Sequence, residues 1–320
     1  MSDNAEDARK LILRQISYIV ETRTFFDNVV LLRNEIWHPA ERYFPVILYR
    51  YRPNRQYELD ALEKDEIYLS RICDFDDQMD TFPLLAPEEI EKVIDSQCVE
   101  QNIRMLIEES SPGLTDKEID RQCSLVLKAF ASERYLDFKR QVIEAVLQRA
   151  GELRKRLRCA CFTEAKESEK MWNEYANNGE GFCLEYQLSN CIYECECECD
   201  SACDMTLVTS LLPVVYDGQA NVYNQSHVLA GYYDGWPFPS GEEHLVKLIM
   251  ALHKRPQYSQ EREWRLLAED CGGCKGNVFL RIPPSKIILG FRCSNDMRFQ
   301  LRKIAEKRGI PVEESGMQSD

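Results

Sequence analysis

The chain has 320 residues, 44% of them hydrophobic and 29% charged, and a formal net charge of -14 at pH 7. That size suits one large domain or two ordinary ones, and the composition is that of a folded chain rather than a disordered one. The negative balance disfavours nonspecific nucleic-acid binding and anionic membrane surfaces, where affinity comes from neutralising phosphates.

The start, Met1 to Lys10, is polar and lacks an apolar signal core. No stretch reaches the apolar length of a membrane span. The expected location is the cytoplasm. There the 14 cysteines would be mostly reduced. They then read as metal ligands, as the mark of a low-oxygen host, or as small buried hydrophobes.

Residues 1–44 read as an N-terminal helical segment, with Leu11, Ile12, Ile16 and Ile19 at helical spacing and Pro39 ending the run. Residues 45–86 open an α+β domain. Pro45 to Arg52 is a strand with Tyr49 and Tyr51 on one face and Arg50 and Arg52 on the other. Asn54 caps a short helix through Leu62. Glu66 to Ile72 is a second strand. The loop Cys73 to Asp80 holds four Asp residues, which bind a hard cation or serve as turn and cap residues.

Residues 87–156 form a helical insertion. Pro87 with Glu88 and Glu89 starts its first helix, Pro112-Gly113 breaks it, and Thr115 with Glu118 makes a capping box. A third helix runs through Phe138, Val142, Val146 and Leu153. Nothing in this block looks chemical.

Residues 157–314 complete the α+β domain, and 315–320 read as a disordered tail. Leu157 to Thr163 is a strand with Cys159 and Cys161 on one face, either two small buried residues or a redox pair. Ser168 starts a short helix that Asn177-Asn178-Gly179 ends. Met171, Trp172 and Tyr175 share one face of it, as core or as the wall of a flat pocket. Gly181 to Leu188 is the next strand. A cysteine-rich stretch follows at 191–203. With Cys271-Gly-Gly-Cys274 downstream, the set Cys195, Cys199, Cys271 and Cys274 supplies the four ligands that zinc needs. The other reading is a surface loop with spare thiols. Leu211 to Tyr216 is a strand, and Ser240 with Glu243 caps a helix that runs through His253 until Pro256 stops it. Strands follow at Asn277 to Ile282 and Lys286 to Phe291. Ser294 caps a basic helix to Lys307, Gly309 ends it, and Ile310 to Glu313 is a last strand. The four His are scattered, so a Cys-His hydrolase is weakly supported.

The stretch that carries most chemistry is Tyr258 to Leu267. If extended, it puts Glu261, Glu263 and Arg265 on one face and Arg262, Trp264 and Leu266 on the other. Trp264 and Leu266 suit a core, so the acidic face looks into a cleft or into water. The plain alternative is an edge strand with a solvated charged face.

Several motifs occur together. Tyr-Arg-Tyr spans Tyr49 to Tyr51, and Ile-Tyr-Leu-Ser-Arg-Ile-Cys-Asp-Phe-Asp-Asp spans Ile67 to Asp77. Cys-Phe-Thr-Glu follows at Cys161 to Glu164. Met171 to Tyr186 carries Met-Trp-Asn-Glu-Tyr-Ala and Gly-Phe-Cys-Leu-Glu-Tyr. Glu-Arg-Glu-Trp-Arg lies at Glu261 to Arg265 and Ile-Ile-Leu-Gly at Ile287 to Gly290. In this order, from Leu48 to Pro311, they resemble the bacterial family called domain of unknown function 2971. The chain departs from that pattern at Asp76-Asp77-Gln78, where the family tends to have Asn-Asp-Pro. The cysteine-rich stretch and the helical block look like additions, so no metal role is inherited.

The layout is in turn similar to ADP-ribosyltransferases: an Arg/Tyr strand, a middle strand bearing Thr, and a late Glu-x-Glu strand. The resemblance implies an α+β fold with a central mixed or antiparallel sheet, split as in those enzymes. It implies NAD as substrate. Glu263 would stabilise the oxocarbenium-like cation and Glu261 would orient or activate an acceptor. Arg50 or Arg52 would bind the diphosphate, Tyr51 or Tyr175 would stack on nicotinamide beside Trp172, and Thr163 would support the Glu. The expected function is a cytosolic ADP-ribosyltransferase or NAD glycohydrolase of defence or stress, acting on a nucleotide-like small molecule with the acceptor left open. Two alternatives stand beside it. One is a nucleotide-binding or sensor protein with a Cys-bound metal. The other is a metal-dependent nuclease built on Asp74 to Asp80.

Overall fold

The computed structural model describes residues 7, 9–11, 14, 45–77, 80, 87–130, 132–188, 211–216, 251–269 and 279–317. Most of the first 44 residues, the cysteine-rich stretch and Cys271 to Cys274 lie outside the described residues, and with them the four expected zinc ligands.

The described strands are β1 (Leu48–Arg52), β2 (Glu66–Tyr68), β3 (Ser70–Arg71), β4 (Leu157–Thr163), β5 (Phe182–Tyr186), β6 (Leu211–Pro213), β7 (Val215–Tyr216), β8 (His253–Lys254), β9 (Glu263–Glu269), β10 (Phe279–Arg281), β11 (Lys286–Leu289) and β12 (Val312–Glu314). The helices are α1 (Gln56–Glu63), α2 (Pro87–Gln97), α3 (Glu100–Ser110), α4 (Asp116–Ala129), α5 (Glu133–Arg156), α6 (Glu169–Tyr175) and α7 (Asn295–Arg308). The architecture is α+β. The main sheet runs β12-β11-β5-β1-β4-β9-β6, with β3 also on β4. It is mixed: β11 and β12 are parallel and its other pairs antiparallel. Two small sheets, β10-β2 and β7-β8, stand apart.

Alternation along the strands sorts residues by face. Leu48, Ala160, Phe162, Leu184, Trp264, Leu266 and Ile287 point to the main core, where Leu59 and Leu62 of α1 and Met297, Leu301, Ile304 and Ala305 of α7 cover them. Tyr49, Tyr51, Cys183 and Ile288 point the other way and pack on Met171, Trp172 and Ala176. The hydroxyl of Ser294 accepts from Met297 N at 3.2 Å, Lys307 and Arg308 lie in the last turn, and Gly309 adopts φ 67°. Start, charge and stop therefore all favour α7 as a helix.

The helical block has its own small core of Ile103, Ile119 and Cys123. The capping box of Thr115 and Glu118 is present. α5 runs straight into β4 and ties the block to the sheet.

One feature of the sheet creates the site. β1 meets β4 in register only at Tyr49 and Thr163. Further back along β4, Cys159 and Arg158 pair instead with Ser70 and Arg71 of β3. The sheet is thus open between these two pairings, beside Cys161 and Tyr51.

Several boundaries differ from the sequence reading. The strand expected over Glu66 to Ile72 is two short pieces, because β2 pairs with β10 while β3 pairs with β4. The Tyr258 to Leu267 stretch is not extended throughout. Pro256–Glu261 is a 3-10 helix, Arg262 turns the chain with φ 46°, and β9 begins at Glu263. Asn54 does not cap α1: Arg55 holds the cap position without a side-chain bond. The helix expected through His253 gives way to β8 at that residue. Beyond β12, Ser315 N donates to Leu289 O at 2.9 Å, and Met317 packs on the second core. Residues 318–320 lie outside the described ones.

Candidate active site

A cleft of about 680 Å³ lies at the opening between β1 and β4. Tyr51, Thr163, Tyr175, Glu261 and Glu263 line it, with Arg50 and Arg52 at its edge. Trp172 does not. It is fully buried, with Tyr51 edge-on at a centroid distance of 4.9 Å. Of the three residues expected to share a pocket wall, Met171 and Tyr175 face the cleft and Trp172 is core.

The register explains the convergence. Tyr49, Thr163 and Glu263 are direct cross-strand neighbours on β1, β4 and β9, and Cys161 faces Arg265 one step along. Their side chains share one face of the sheet. Glu261 reaches the same place by another route. The left-handed turn at Arg262 brings it back beside Glu263, and Thr163 Oγ1 donates to the Glu261 carbonyl at 2.5 Å. The same Oγ1 accepts from Ala165 N at 3.0 Å. Thr163 thus supports the backbone of Glu261 rather than the carboxylate of Glu263.

The charged face is buried, not solvated: Glu261 is 2% exposed, Glu263 4% and Arg265 0%. Lys254 from β8 sits among three carboxylates. Its Nζ lies 2.5 Å from Glu261 Oε2, 2.8 Å from Glu263 Oε2 and 3.6 Å from Asp80 Oδ2. Arg265 closes the network from the other side. Nε donates to Glu263 Oε1 at 2.7 Å, Nη1 to Ala251 O at 2.7 Å, and Nη2 to Asp80 Oδ1 at 2.8 Å. Burial alone would raise the Glu263 carboxyl, but Arg265 and Lys254 outweigh it and hold the pKa down to about 2. Burial likewise works against the Lys254 ammonium, yet Glu263 and its neighbours raise it above the usual lysine value. Both groups are charged at neutral pH. Glu263 has each oxygen committed to a cation. Glu261 is likewise held by two cations, but its second contact is the looser one: Oε1 meets Lys170 Nζ at 3.3 Å without a hydrogen bond.

The aromatic rings frame these charges. The Tyr258 ring lies 4.7 Å from Lys170 Nζ and 5.0 Å from Lys254 Nζ, close enough for cation–π attraction. Tyr175 is 40% exposed. The local desolvation around its hydroxyl raises its pKa, against the pull of Lys254. Tyr51 is less available than the sequence suggested. Its hydroxyl donates to Ala165 O at 2.8 Å and also meets Lys166 O.

Arg50 and Arg52 lie on the face of β1 opposite to Tyr51, as alternation requires. Arg52 is committed to Glu58, with Nε 2.6 Å from Oε2. Arg50 stacks over Phe162 at 5.3 Å. The aspartate loop is also occupied by cations: Asp77 bonds Arg255 at 2.5 Å and Asp80 bonds Arg265 and Lys254. Among the described residues, no group of three or more His, Cys, Asp or Glu is placed to hold a metal ion. Cys159 and Cys161 lie with their sulfurs 3.9 Å apart. Contact with Cys159 and burial push the Cys161 thiol well up, so it is protonated and unreactive.

Lys254, Asp80 in its pairing role, Lys170, Tyr258 and Glu164 were not singled out from the sequence. Glu164 interlocks two motifs. Its carboxylate accepts from Trp264 Nε1 at 2.6 Å and Arg262 Nη2 at 2.8 Å, with Arg9 Nη2 at 3.4 Å. The only sequence signal for it was its place at the end of Cys-Phe-Thr-Glu. Lys254 gave none beyond its position two residues before Pro256.

No helix among the described residues is long and apolar enough to cross a membrane. Neither the curated proteins nor the solved structures yield a match. The family model described as "Protein of unknown function (DUF2971)" matches residues 171–266, from the start of the aromatic face of α6 to the Trp264-Leu266 core of β9, and this supports placing the chain in the DUF2971 family.

Proposed function

We propose that the cleft consumes NAD, as an ADP-ribosyltransferase or an NAD glycohydrolase. The observation that carries this reading is the pair of carboxylates, Glu261 and Glu263, fixed on one ammonium, Lys254, in the wall of a cleft of about 680 Å³. Cleavage of the nicotinamide-ribose bond sends the bonding electrons to nicotinamide and leaves positive charge on the sugar. A carboxylate that is ionised and held in place before the reaction stabilises that charge without reorganising.

The geometry divides the roles differently from the motif. Glu263 has both oxygens in ion pairs, so it positions Lys254 and Arg265. Glu261 is also paired through both oxygens, Oε2 with Lys254 and Oε1 with Lys170 at 3.3 Å, but Lys170 is the more exposed cation and its contact is not a hydrogen bond. We therefore assign Glu261, the more easily released of the two, to the ribose hydroxyl and the developing cation. Tyr175 offers a partly exposed ring for the nicotinamide. Water or an acceptor nucleophile would then take the sugar carbon, losing its proton to solvent or to the carboxylate. Incubation of the whole chain with NAD, followed by chromatography for free nicotinamide and by protein mass, tests the reading. Nicotinamide release supports it. Intact NAD and unmodified protein contradict it.

A second reading is a nucleotide-binding protein without turnover. The saturation of Glu263 by two cations favours it, since that arrangement also serves to fix a fold. Binding of NAD with no nicotinamide release selects this reading over the first.

A further inference from the structure

A second cavity, of about 400 Å³, lies under the opposite face of β1, between that strand and α1. Arg50, Arg52 and Tyr68 line both this cavity and the first cleft. We infer that the second cavity is a binding site for a phosphate-bearing ligand of mononucleotide size, with Arg50 as its anion receptor.

The argument starts from how the charges there are spent. Arg52 is held by Glu58 at 2.6 Å. Asp65 is bonded to Arg308. Asp60 accepts from the neutral Gln56 Nε2 at 2.8 Å and keeps its charge, but its side chain is exposed to solvent. Glu66 lies 4.0 Å from Lys64 Nζ. Arg50 has no carboxylate, carbonyl or hydroxyl partner among the described residues, only the Phe162 ring at 5.3 Å. A guanidinium carries five donors in a planar fork, and that of Arg50, partly exposed at the cavity, is open to an incoming acceptor. Burial and the nearby Arg52 both press its pKa down from the ordinary arginine value, which agrees with a charge that lacks an anion. Fork geometry favours bidentate contact with phosphate. Around it, Tyr57, Tyr68 and Phe279 offer rings against which a base or other flat group can lie. The volume is within the range of small-ligand sites.

The inference does not rest on the NAD reading: the second cavity shares Arg50, Arg52 and Tyr68 with the first cleft but contains neither Glu261 nor Glu263. The experiment measures binding only. Calorimetry on the whole chain would use three probes: inorganic phosphate, adenosine 5′-monophosphate and adenosine. The expected order is the monophosphate tightest, phosphate weaker, adenosine weakest. Arg50→Gln should weaken monophosphate binding roughly tenfold or more, as loss of a charge-assisted contact does. Ala61→Glu, on the α1 face lining the cavity, keeps Arg50 and should also weaken binding by placing a competing carboxylate there. It serves if Arg50→Gln does not fold. No detectable binding of either phosphate probe by the wild-type chain overturns the inference. So does equal monophosphate affinity in wild type and in whichever of the two variants is folded.

Discussion

Lys254 Nζ lies 2.8 Å from Glu263 Oε2, and both residues are almost wholly buried. Neither is close to the other in the sheet by strand pairing. β8 pairs with β7, and β9 pairs with β4 and β6. The link between them is therefore a tertiary contact of the site, and it fixes the state of charge there.

That contact makes Glu263 a stability residue as well as a site residue. Its carboxyl is lowered from 4.5 to about 2, a difference equivalent to about 3 kcal/mol. The folded-state pKa is the lower one. The stabilisation is thus complete above pH 4.5 and lost as pH falls towards 2. Glu263→Gln should cost roughly 3 kcal/mol at neutral pH, because it leaves Arg265 and Lys254 short of an anion in the interior. The gap between wild type and variant should close between pH 4.5 and 2. Urea unfolding at several pH values measures it. A gap below about 1 kcal/mol at pH 7 would return Glu263 to the class of exposed pairs.

Glu164 should matter beyond its size. It gathers Trp264, Arg262 and Arg9, so Glu164→Ala removes the carboxylate that accepts from Trp264 Nε1 at 2.6 Å and pairs the two arginines. The expected loss is about 2 kcal/mol, with Glu164→Gln costing less because its amide oxygen still accepts. Thermal unfolding of the two variants checks the order. Equal melting temperatures for both variants and wild type would contradict the interlock.

Gly290 tests the turn behind the second core. A Cβ there would stand 2.2 Å from Gly179 O and 2.6 Å from Gly181 O. Gly290 N donates to Gly181 O at 3.0 Å, so the two segments cannot separate without losing that bond. Gly290→Ala should destabilise by roughly 2 kcal/mol or more, since backbone rather than a flexible side chain must move. An unchanged unfolding midpoint would show that the segments shift freely.

Much of the frame was legible from alternation and punctuation. Tyr49 and Tyr51 against Arg50 and Arg52, the Thr115 and Glu118 box, Ser168, Ser294 and Gly309 all follow from local rules that the tertiary fold does not override. The acidic pair was visible because Glu261 and Glu263 flank a Trp-bearing core strand. Its environment was not. Lys254 and Asp80 reach the pair from segments far off in sequence or off the strand, and no period or spacing relates them. The assumption that Tyr258 to Leu267 is extended failed at Arg262, where a left-handed turn is uncommon outside glycine. Trp172 looked like a pocket wall because helical spacing shows which residues share a face but not how deep each one sits.

The central claim is that Glu261 serves the chemistry of this cleft. The most direct measurement is the rate of nicotinamide release from NAD by wild type and by Glu261→Gln under the same conditions. The account predicts measurable release by wild type and a fall of roughly a hundredfold in the variant, the scale of one lost preorganised electrostatic group. The variant should keep its fold and bind NAD within a few-fold of wild type. No release by wild type, or equal rates in the two proteins, would contradict it.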